Sequence, residues 1–456
     1  MNGKSYPKTK ILAITIVALA LILCLGGALA HPQSWHVDDD LKDYPGAKFT
    51  KIQDAIDGAS EGDEIIVHPG TYRENVVVNK KVTLKGIDHP TVDASLKGSA
   101  VVIDVNGCVL DGFKAVNSEW AKDLEVLNAG ILVKSDKNLI TGNDVSDNFS
   151  GILLSNSSNN TITGNDLSKN LIGIFLVDSS DNTITGNNTS SNYKLGIDLV
   201  DSSDNTITGN YVSTNEYGIG LAFSSNNTLK KNEMRDNKYN FGVDGVELSH
   251  YIQEIDRSNT VDGRPIYYLV NETDKTISSD SNAGYVAAIN CRNIVVNDLT
   301  LTNNVSGVLF VHTKDSKIEN VDISKNFIGV FFSDSSNNTI TANDVSKNYS
   351  GISLDDSSND NLFYHNNLID NTVQASDRGK NSWDAGSTEG GNHWSNHRCR
   401  GNPNDGEPYQ INSDSIDYYP FEDRNGWDGI SRFWFLPPML IAIFVIALIV
   451  ILIRRP

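Results

Sequence analysis

Aspartates recur at one position of a sequence repeat and are the first residues that could do chemistry. Asp178, Asp201, Asp334 and Asp356 each lie five residues after a glycine that marks the repeat. If successive repeats stack, these carboxylates lie about 5 Å apart and repel one another unless a cation or solvent screens them. The column indicates a row of Ca²⁺ sites, a sugar-facing edge, or turn residues whose side chains bond to their own backbone.

A second group occupies the position two residues after the same glycine. Phe175, Asp198 and Phe331 stand there between inward-facing Ile and Leu, so their side chains are expected on the outer face. Exposed aromatic residues on a flat β-face can stack on sugar rings. The same column could instead be covered by residues 246–290, and the sequence does not decide between these two arrangements.

Two carboxylates of these groups could lie at the distance that a glycosidase would need. Such enzymes hold a pair roughly 5–9.5 Å apart across the scissile bond. Asp198 with Asp178 or Asp201 could satisfy this, as could chance in a repeat so rich in Asp. The chain carries no recognisable nucleophile triad, phosphate-binding loop or dinucleotide fingerprint. These residues therefore favour a binding or structural role over catalysis.

A third group lies near the C-terminus and has metal-binding side chains. His393, His397 and Cys399 fall within seven residues. Imidazole and thiolate ligands suit Zn or Cu. The alternative is an incidental loop, because a chelate needs the side chains to converge and sequence alone cannot show that.

The elements that position these residues follow a repeat of about 22 residues. After each repeat glycine the apolar residues alternate with a period of two, which is that of a β-strand. Each repeat contains three short strands, separated by Asn, Gly, Ser or Asp turns. Strands this short are stable only if each pairs with its counterpart in the next repeat, about 4.8 Å away. The repeat glycines are Gly151, Gly173, Gly196, Gly218, Gly307, Gly329 and Gly351.

The pattern predicts an all-β fold, a right-handed parallel β-helix of roughly thirteen rungs with Ile, Val and Leu columns inside. Asn at a repeated turn position (Asn165, Asn187, Asn210) is expected to form a ladder along the stack. A short amphipathic helix within 48–60 is expected to close the N-terminal end. Residues 246–290 interrupt the repeat and are expected to leave the stack as a loop or small hairpin region.

The two ends of the chain predict export and a membrane anchor. Residues 1–30 combine a basic start, an apolar core and an Ala-Leu-Ala cleavage pattern, as in a signal peptide. Residues 433–453 carry no charge and are followed by Arg454 and Arg455, which predicts a transmembrane helix with the rest of the chain outside the cell. The expected organisation is a signal peptide over 1–30, an N-terminal cap over 31–63, β-helix repeats over 64–385 with an insertion at about 246–290, a C-terminal cap over 386–432, a transmembrane helix over 433–453 and a cytoplasmic tail over 454–456.

Composition and modification motifs agree with an outward-facing protein. The formal charge of -20 and the lack of a basic patch argue against nucleic acid as a partner. Sequons for N-glycosylation are frequent, although a repeat rich in Asn and Ser generates many by composition alone. They begin at Asn148, Asn156, Asn159, Asn187, Asn188, Asn226, Asn271, Asn304, Asn337 and Asn348.

Several motifs resemble the NosD-like family. They include Ile52-Gln-Asp-Ala-Ile, Val67-His-Pro-Gly-Thr-Tyr, the Asn-Thr-Ile-Thr-Gly-Asn repeats, Asp262-Gly-Arg-Pro-Ile-Tyr-Tyr and Gly391-Asn-His-Trp-Ser. The resemblance covers nearly all of residues 43–421. It implies the pectin-lyase-like β-helix, a module of carbohydrate-binding proteins and sugar hydrolases, and its style is similar to that of archaeal surface proteins. The family's copper-related role has no ligand motif that can be matched here residue by residue.

We therefore expect a membrane-anchored cell-surface β-helix that binds glycans or envelope polymers or serves a structural role there. A polysaccharide-acting hydrolase or lyase is the alternative, and a metal-handling accessory protein of the NosD type is the third hypothesis. The expected ligand-binding residues are Phe175, Asp178, Asp198, Asp201 and Phe331, with Ca, Cu or Zn as possible metals.

Overall fold

A computed structural model describes residues 32–120 and 128–429. They form an all-β parallel β-helix of the right-handed type with about 15 turns and few helices. The predicted fold class is confirmed in this part of the chain. The predicted signal peptide, transmembrane helix and cytoplasmic tail lie outside the described residues. Within 32–120 and 128–429, no helix has the length and apolar character required to cross a bilayer.

Three long sheets run along the stack, each containing one strand per rung. The first sheet consists of Ser34–Val37, Glu64–Val67, Thr83–Gly86, Val109–Asp111, Leu139–Thr141, Thr161–Thr163, Thr183–Thr185, Thr206–Thr208, Thr228–Lys230 and Glu254–Ile255. The second sheet consists of Val76–Val78, Val101–Ile103, Ala129–Val133, Ser150–Ser155, Ile172–Val177, Leu195–Val200, Tyr217–Ala222 and Tyr239–Asp244. The third sheet begins with Thr71–Tyr72, Thr91–Asp93, Lys114–Val116, Asp144–Ser146, Asp166–Ser168, Asn188–Ser190, Tyr211–Ser213, Glu233–Arg235 and Thr260–Val261.

The third sheet continues beyond these nine strands, and two shorter sheets accompany its second part. It goes on with Arg264–Val270, Tyr285–Ile289, Ser306–Val311, Ile328–Ser333, Ser350–Leu354 and Val373–Asp377. The fourth sheet consists of Thr273–Ile277, Arg292–Asn297, Lys317–Glu319, Thr339–Thr341 and Leu362–Tyr364. The fifth consists of Thr300–Thr302, Asp322–Ser324, Asp344–Ser346, Asn367–Ile369 and His393–Trp394, and a hairpin joins Tyr409–Gln410 to Ile416–Asp417.

Identical residues stack from rung to rung because the strands pair in register. Ile162, Ile184 and Ile207 are consecutive partners in the first sheet, and all three are fully buried. Their neighbouring Thr residues point outward, as the period of two requires. The repeat therefore creates continuous apolar columns inside the stack, as predicted.

Buried asparagines line the turns of the stack and form the predicted ladder. The side-chain amide of Asn187 donates to Asn210 Oδ1 at 3.0 Å and to the carbonyl of Ile162 at 2.9 Å. In return, Asn187 Oδ1 accepts from the backbone N–H of Asn165 at 3.0 Å. These bonds satisfy polar backbone groups that the tight turns leave inside the stack, where no water reaches them.

Where the sequence repeat is interrupted, the stack reverses its direction. This corrects the prediction that residues 246–290 leave the stack. Thr260–Val261 closes the first stack, and Arg264–Val270 pairs with it antiparallel. The two-residue loop Asp262-Gly263 has φ angles of 48° and 77°, as a type I′ hairpin requires. The chain is thereby divided into a first arm, residues 34–261, and a second arm, residues 264–394.

The second arm covers the open end of the first. Val305 N–H donates to the carbonyl of Phe241 at 3.0 Å, and the rings of Phe241 and Tyr285 meet edge to face at 5.1 Å. Leu309 and Val311, on the outer face of the second arm, are fully buried in the core of the first. An exposed end rung would be a template for aggregation, and this contact removes it.

Both outer ends of the stack carry small caps. The helix α1 (Ile52–Gly58) packs its apolar side on the first rungs, which confirms the predicted N-terminal helix. The predicted boundary of the cap at residue 63 is too late, because Ser34–Val37 already pairs in the first sheet. The other helices are short: α2 (Leu248–Tyr251) lies at the junction of the arms, α3 (Gly386–Glu389) lies in the C-terminal cap, and 3₁₀ turns occupy Ser279–Ser281 and Gly426–Gly429.

Candidate functional site

The outer face of the second sheet brings together two of the residues that the sequence singled out. Phe175 and Asp198 are direct partners on neighbouring strands, and Gly220 follows on the next. All three are half-buried. A Cβ atom at residue 220 would lie 2.5 Å from Asp198 Oδ1, so a side chain there would require the carboxyl group to move. The aspartate is thus held against an open patch of backbone, next to an aromatic ring.

The Asp198 carboxyl is electrostatically unusual. Burial raises its pKa to about 7, because the apolar sheet face disfavours the charged form. No described residue gives it a hydrogen bond or an ion pair. A carboxyl group with this pKa is partly protonated near neutral pH. It can therefore both donate to and accept from a hydroxyl-bearing ligand.

Aromatic residues extend this face along the turn that precedes each of its strands. Tyr193 is 60% exposed and lies 6.3 Å, between ring centroids, from Trp120, which is 45% exposed. Tyr217 lies on the strand of the next rung and pairs with Leu195. Leu195 belongs to the strand of Asp198 and lies three residues before it. Lys194, Glu216 and Lys238 run along the same turn as a chain of ion pairs. An amphipathic surface with flat rings, an amide-rich turn and a partly protonated carboxyl group suits sugar rings.

The aromatic row continues across the junction onto the second arm. Tyr217 lies 5.1 Å from Tyr239, which lies 5.8 Å from Phe327, and Phe327 stacks on Tyr349 at 5.0 Å. Tyr239 is buried in this row, whereas Tyr349 is 52% exposed. We call Tyr193, Tyr217, Tyr239, Phe327 and Tyr349 the aromatic edge. Sequence reasoning missed it, although each member follows a ladder asparagine by one or two residues.

The corresponding face of the second arm is closed. Leu309 and Phe331 are partners in the third sheet and occupy the column equivalent to Phe175 and Asp198. Leu309 is fully buried, and the half-buried Phe331 packs against the core of the first arm. Phe331 is therefore placed at the contact between the arms, away from Phe175. Of the two arrangements that the sequence left open, the covered one is found in this arm, because Leu309 belongs to an apolar cluster that includes Tyr251 and Tyr268 of residues 246–290.

The aspartate column lies at the turns that follow the second-sheet strands. Asp178 and Asp201 are exposed and adopt left-handed backbone conformations, each with a φ of 49°. Short polar residues tolerate this conformation best, so a turn role accounts for their type. In the second arm, Asp334 lies 2.8 Å from His312 Nδ1. Asp198 belongs to the strand face, and the shift of its pKa has burial as its cause, without a contribution from either turn aspartate.

The three C-terminal metal candidates lie in the cap. His397 and Cys399 line one cavity with Glu407 and Glu422, but the ligand atoms of all three candidates do not lie within 4.8 Å of one another. His393 Nδ1 lies 3.2 Å from the carbonyl of Phe421, and His397 Nε2 lies 2.9 Å from that of Glu407. Cys399 is buried, and burial, with the nearby acidic side chains, raises the pKa of its thiol to about 11. A thiol must lose its proton to bind a metal, so this environment disfavours it as a ligand. Metal binding at these residues stays a prediction.

Comparisons with known proteins assign the chain to a family. A sequence profile described as periplasmic copper-binding protein (NosD) matches residues 56–267 and 257–399. A cell surface glycoprotein of Methanothermus fervidus is 46% identical over 68 residues, which is 14% of this chain and 12% of that relative. The chain thus spans about an eighth of the length of this relative. Both descriptions refer to proteins located outside the cytoplasm.

Two solved structures are also similar to the chain. The Dettilon tailspike protein matches with a TM-score of 0.39 and 14% identity, covering 71% of this chain and 63% of that one. The pectate lyase Pel9A matches with a TM-score of 0.39 and 13% identity, covering 80% of this chain and 84% of that one.

The family description implies copper, which prefers thiolate, thioether and imidazole ligands. Met234 is fully buried in the core. Among the described residues, the only three or more acidic, His or Cys side chains with ligand atoms within 4.8 Å are those of 38–40, whose oxygens suit harder cations. His36 Nδ1 lies 2.9 Å from His68 Nε2, but no third donor joins this pair in the described chain. These residues do not fit a copper site with three or more ligands.

Proposed function

The chain belongs to the NosD family, and from that premise we propose that it is an extracytoplasmic β-helix that binds glycans on the outer face of its second sheet. One observation carries this proposal. The half-buried Asp198 carboxyl lies between Phe175 and Gly220 on the outer face of the second sheet, without a hydrogen-bond partner among the described residues. A half-buried carboxyl group without a partner in the described chain can accept or donate a hydrogen bond, and a ligand hydroxyl would supply that bond.

Neutral polysaccharides are the class of ligand that fits best. The chain carries a net charge of -20, so an acidic polymer is repelled as a whole. A neutral sugar chain that covers Asp198 removes more water from the carboxyl group and so favours its protonated form. Binding should therefore be tighter below the pKa of about 7 than above it.

The decisive experiment measures the binding of neutral polysaccharides to the purified chain by calorimetry, after an array of glycans has identified a ligand. We expect Phe175→Ala and Tyr193→Ala each to weaken binding on the order of tenfold, because each removes a ring that stacks on a sugar. Tyr211→Ala is the matched control. Tyr211 is also an exposed tyrosine, but it lies on the third sheet.

The pH dependence of binding provides a second readout at the same residue. The affinity of the unmodified chain should fall by roughly five- to tenfold as the pH rises from 6 to 8, if the ligand raises the pKa of Asp198 by one unit or more. Asp198→Asn should remove this dependence. An array with no ligand above background, or equal losses for Tyr193→Ala and Tyr211→Ala, would overturn the proposal.

The hydrolase or lyase alternative has less support in the geometry. A catalytic pair of carboxylates 5–9.5 Å apart should interact electrostatically. The pKa of Asp198 carries no such contribution from Asp178 or Asp201. Release of reducing sugar from a bound polysaccharide, abolished by Asp198→Asn, would support the enzyme in place of the binding protein.

Membrane attachment through residues 433–453 is the remaining part of the proposed function. Its support is the uncharged apolar run followed by two arginines. We expect the chain to stay with membranes after an alkaline wash and to be released when a protease cleaves between residues 429 and 433. Recovery of the intact chain in the soluble fraction would contradict the anchor.

A further inference from the structure

The fold divides the ten sequons of the chain into two classes. Asn148, Asn187, Asn304 and Asn348 are buried ladder residues, and Asn188 is half-buried on the third sheet. The other five sequons begin at exposed asparagines. These are Asn156, Asn159, Asn226, Asn271 and Asn337.

A sugar cannot be accommodated on the ladder asparagines. The amide nitrogen of Asn187 donates both to Asn210 Oδ1 and to the carbonyl of Ile162. That of Asn348 donates both to Asn371 Oδ1 and to the carbonyl of Ile323. A glycan on this nitrogen replaces one of its hydrogens and must fit where the next rung packs. A chain modified there could not complete its stack, whenever the modification occurred.

The hydroxyl residues of the sequons divide in the same way. Ser150, Thr189, Ser306 and Ser350, which complete the ladder sequons, are all buried. Asn188 is excluded by its position: it lies on a strand of the third sheet, where its amide nitrogen donates to Asp166 Oδ1 at 3.2 Å, and not in a left-handed turn. By contrast, the hydroxyl residues that follow the five exposed asparagines are half-buried or exposed: Ser158, Thr161, Thr228, Thr273 and Thr339.

The exposed asparagines share one edge of the molecule. All five have left-handed backbone conformations, with φ between 50° and 60°, in turns that follow strands of the second sheet or their equivalents in the second arm. The aromatic edge precedes the same strands. Strands of about six residues separate the two edges by roughly 20 Å. Glycans on one edge would thus leave the aromatic edge and Asp198 open.

We propose that the mature protein is N-glycosylated only within the set Asn156, Asn159, Asn226, Asn271 and Asn337. The transfer joins the asparagine Nδ2 to the anomeric carbon of an oligosaccharide carried on a lipid phosphate. The bond between that carbon and the phosphate oxygen breaks, and the released lipid phosphate takes up the amide proton. The proposal rests on the extracytoplasmic location stated above, but not on glycan binding.

The test is peptide mass spectrometry of the full chain, purified from cells that export it and glycosylate exported proteins. Sugar confined to the exposed set supports the proposal. Sugar on any ladder asparagine or on Asn188, or a chain without sugar, overturns it. Because mass rather than binding is measured, failure here is distinguishable from failure of the proposed ligand.

A gain of sugar at a new position makes the test sharper. Asp204 is exposed, lies in the same column as Asn226 and is followed by Asn205 and Thr206. Asp204→Asn therefore creates a sequon at a turn of the right geometry, and we expect the chain to gain one glycan there. Thr228→Ala should lose the glycan of Asn226, whereas Thr228→Ser should retain it. An unmodified residue 204 beside a glycosylated Asn226 would contradict the role of the turn.

Discussion

Two tyrosines at the junction of the arms show how one hydroxyl group can stabilise or destabilise the fold. Tyr268 Oη donates to the carbonyl of Tyr251 at 2.6 Å. The buried Tyr285 Oη has no partner among the described residues. Removing a bonded hydroxyl leaves a buried carbonyl unsatisfied, whereas removing an unbonded one relieves a desolvation penalty.

We therefore expect opposite results from two identical substitutions. Tyr268→Phe should lower the free energy of unfolding by about 1–2 kcal/mol, and Tyr285→Phe should leave it unchanged or raise it by up to about 1 kcal/mol. Chemical denaturation of the two variants against the unmodified chain measures both. Equal destabilisation would show that Tyr285 has a bonded partner after all.

Asp198 makes stability depend on pH. Its pKa of about 7 in the folded state is above its ordinary value of 3.8, so the folded state binds one more proton than the unfolded state at pH values between the two. The stabilisation is fully present below about pH 4 and is lost as the pH rises through 7. Each pKa unit corresponds to about 1.4 kcal/mol, and partial contact with solvent reduces the total to on the order of 2 kcal/mol.

Asp198→Asn isolates this contribution from that of other acids. Burial also raises the pKa of Asp417 to about 7, although it accepts hydrogen bonds from Trp394 Nε1 and the N–H of Asn392. The difference in unfolding free energy between pH 5 and pH 8 should shrink by on the order of 2 kcal/mol in Asp198→Asn, while Asp417 keeps the remainder. An unchanged difference would place the titration elsewhere.

The residues of the candidate site could be predicted only in part from the sequence. The strand period placed Phe175 and Asp198 side by side on the outer face, and the register confirms it. The same reasoning placed Phe331 there, but a repeat does not reveal which stretch of its outer face another part of the chain will cover. Whether His393 and His397 converge depends on the path of a cap loop, which has no period to follow.

At the scale of elements, the asparagine ladder stabilises the turns of the stack. Asn187 bonds to two neighbouring ladder residues and to one strand carbonyl. Asn187→Ala would leave these buried groups without partners, each costing about 1–3 kcal/mol. We expect the free energy of unfolding to fall by roughly 3–5 kcal/mol.

The adjacent residue provides the control for this substitution. Asn188 is half-buried on the sheet face and lies outside the ladder. Asn188→Ala should change the free energy of unfolding by less than about 1 kcal/mol, as surface substitutions usually do. Thermal unfolding of the two variants compares them directly. Similar losses would mean that the ladder contributes no more than an ordinary turn.

The strands themselves were predictable because local and long-range requirements coincide. Gly173 and Ile174 mark a strand whether one considers the period of two or the spacing of 22 residues. The hairpin at Asp262-Gly263 shows what could not be predicted from the sequence. Its turn type can be inferred from Asp-Gly. The reversal of the stack depends on which strand pairs with Arg264–Val270, and no repeat in the sequence indicates that partner.

At the scale of the whole molecule, the two arms stabilise one another through a surface that would otherwise face solvent. Leu309 is fully buried although it lies on the outer face of its own arm, because the end of the first arm packs on it. Ser353 occupies the same column two rungs further on and is half-buried. A substitution of Leu309 therefore tests the contact between the arms. The same substitution at Ser353 tests the effect of the new side chain in this column outside that contact.

We expect Leu309→Asp to destabilise the junction by several kcal/mol, because it places an unpaired charge in an apolar contact. The end rung of the first arm would then be uncovered, so the variant should bind a hydrophobic dye and self-associate. Calorimetric unfolding should show two steps instead of one, since the interior of the second arm forms an apolar cluster separate from the one that fills the first arm and the junction. Ser353→Asp should melt like the unmodified chain. A single, unshifted transition for Leu309→Asp would mean that the arms do not depend on this contact.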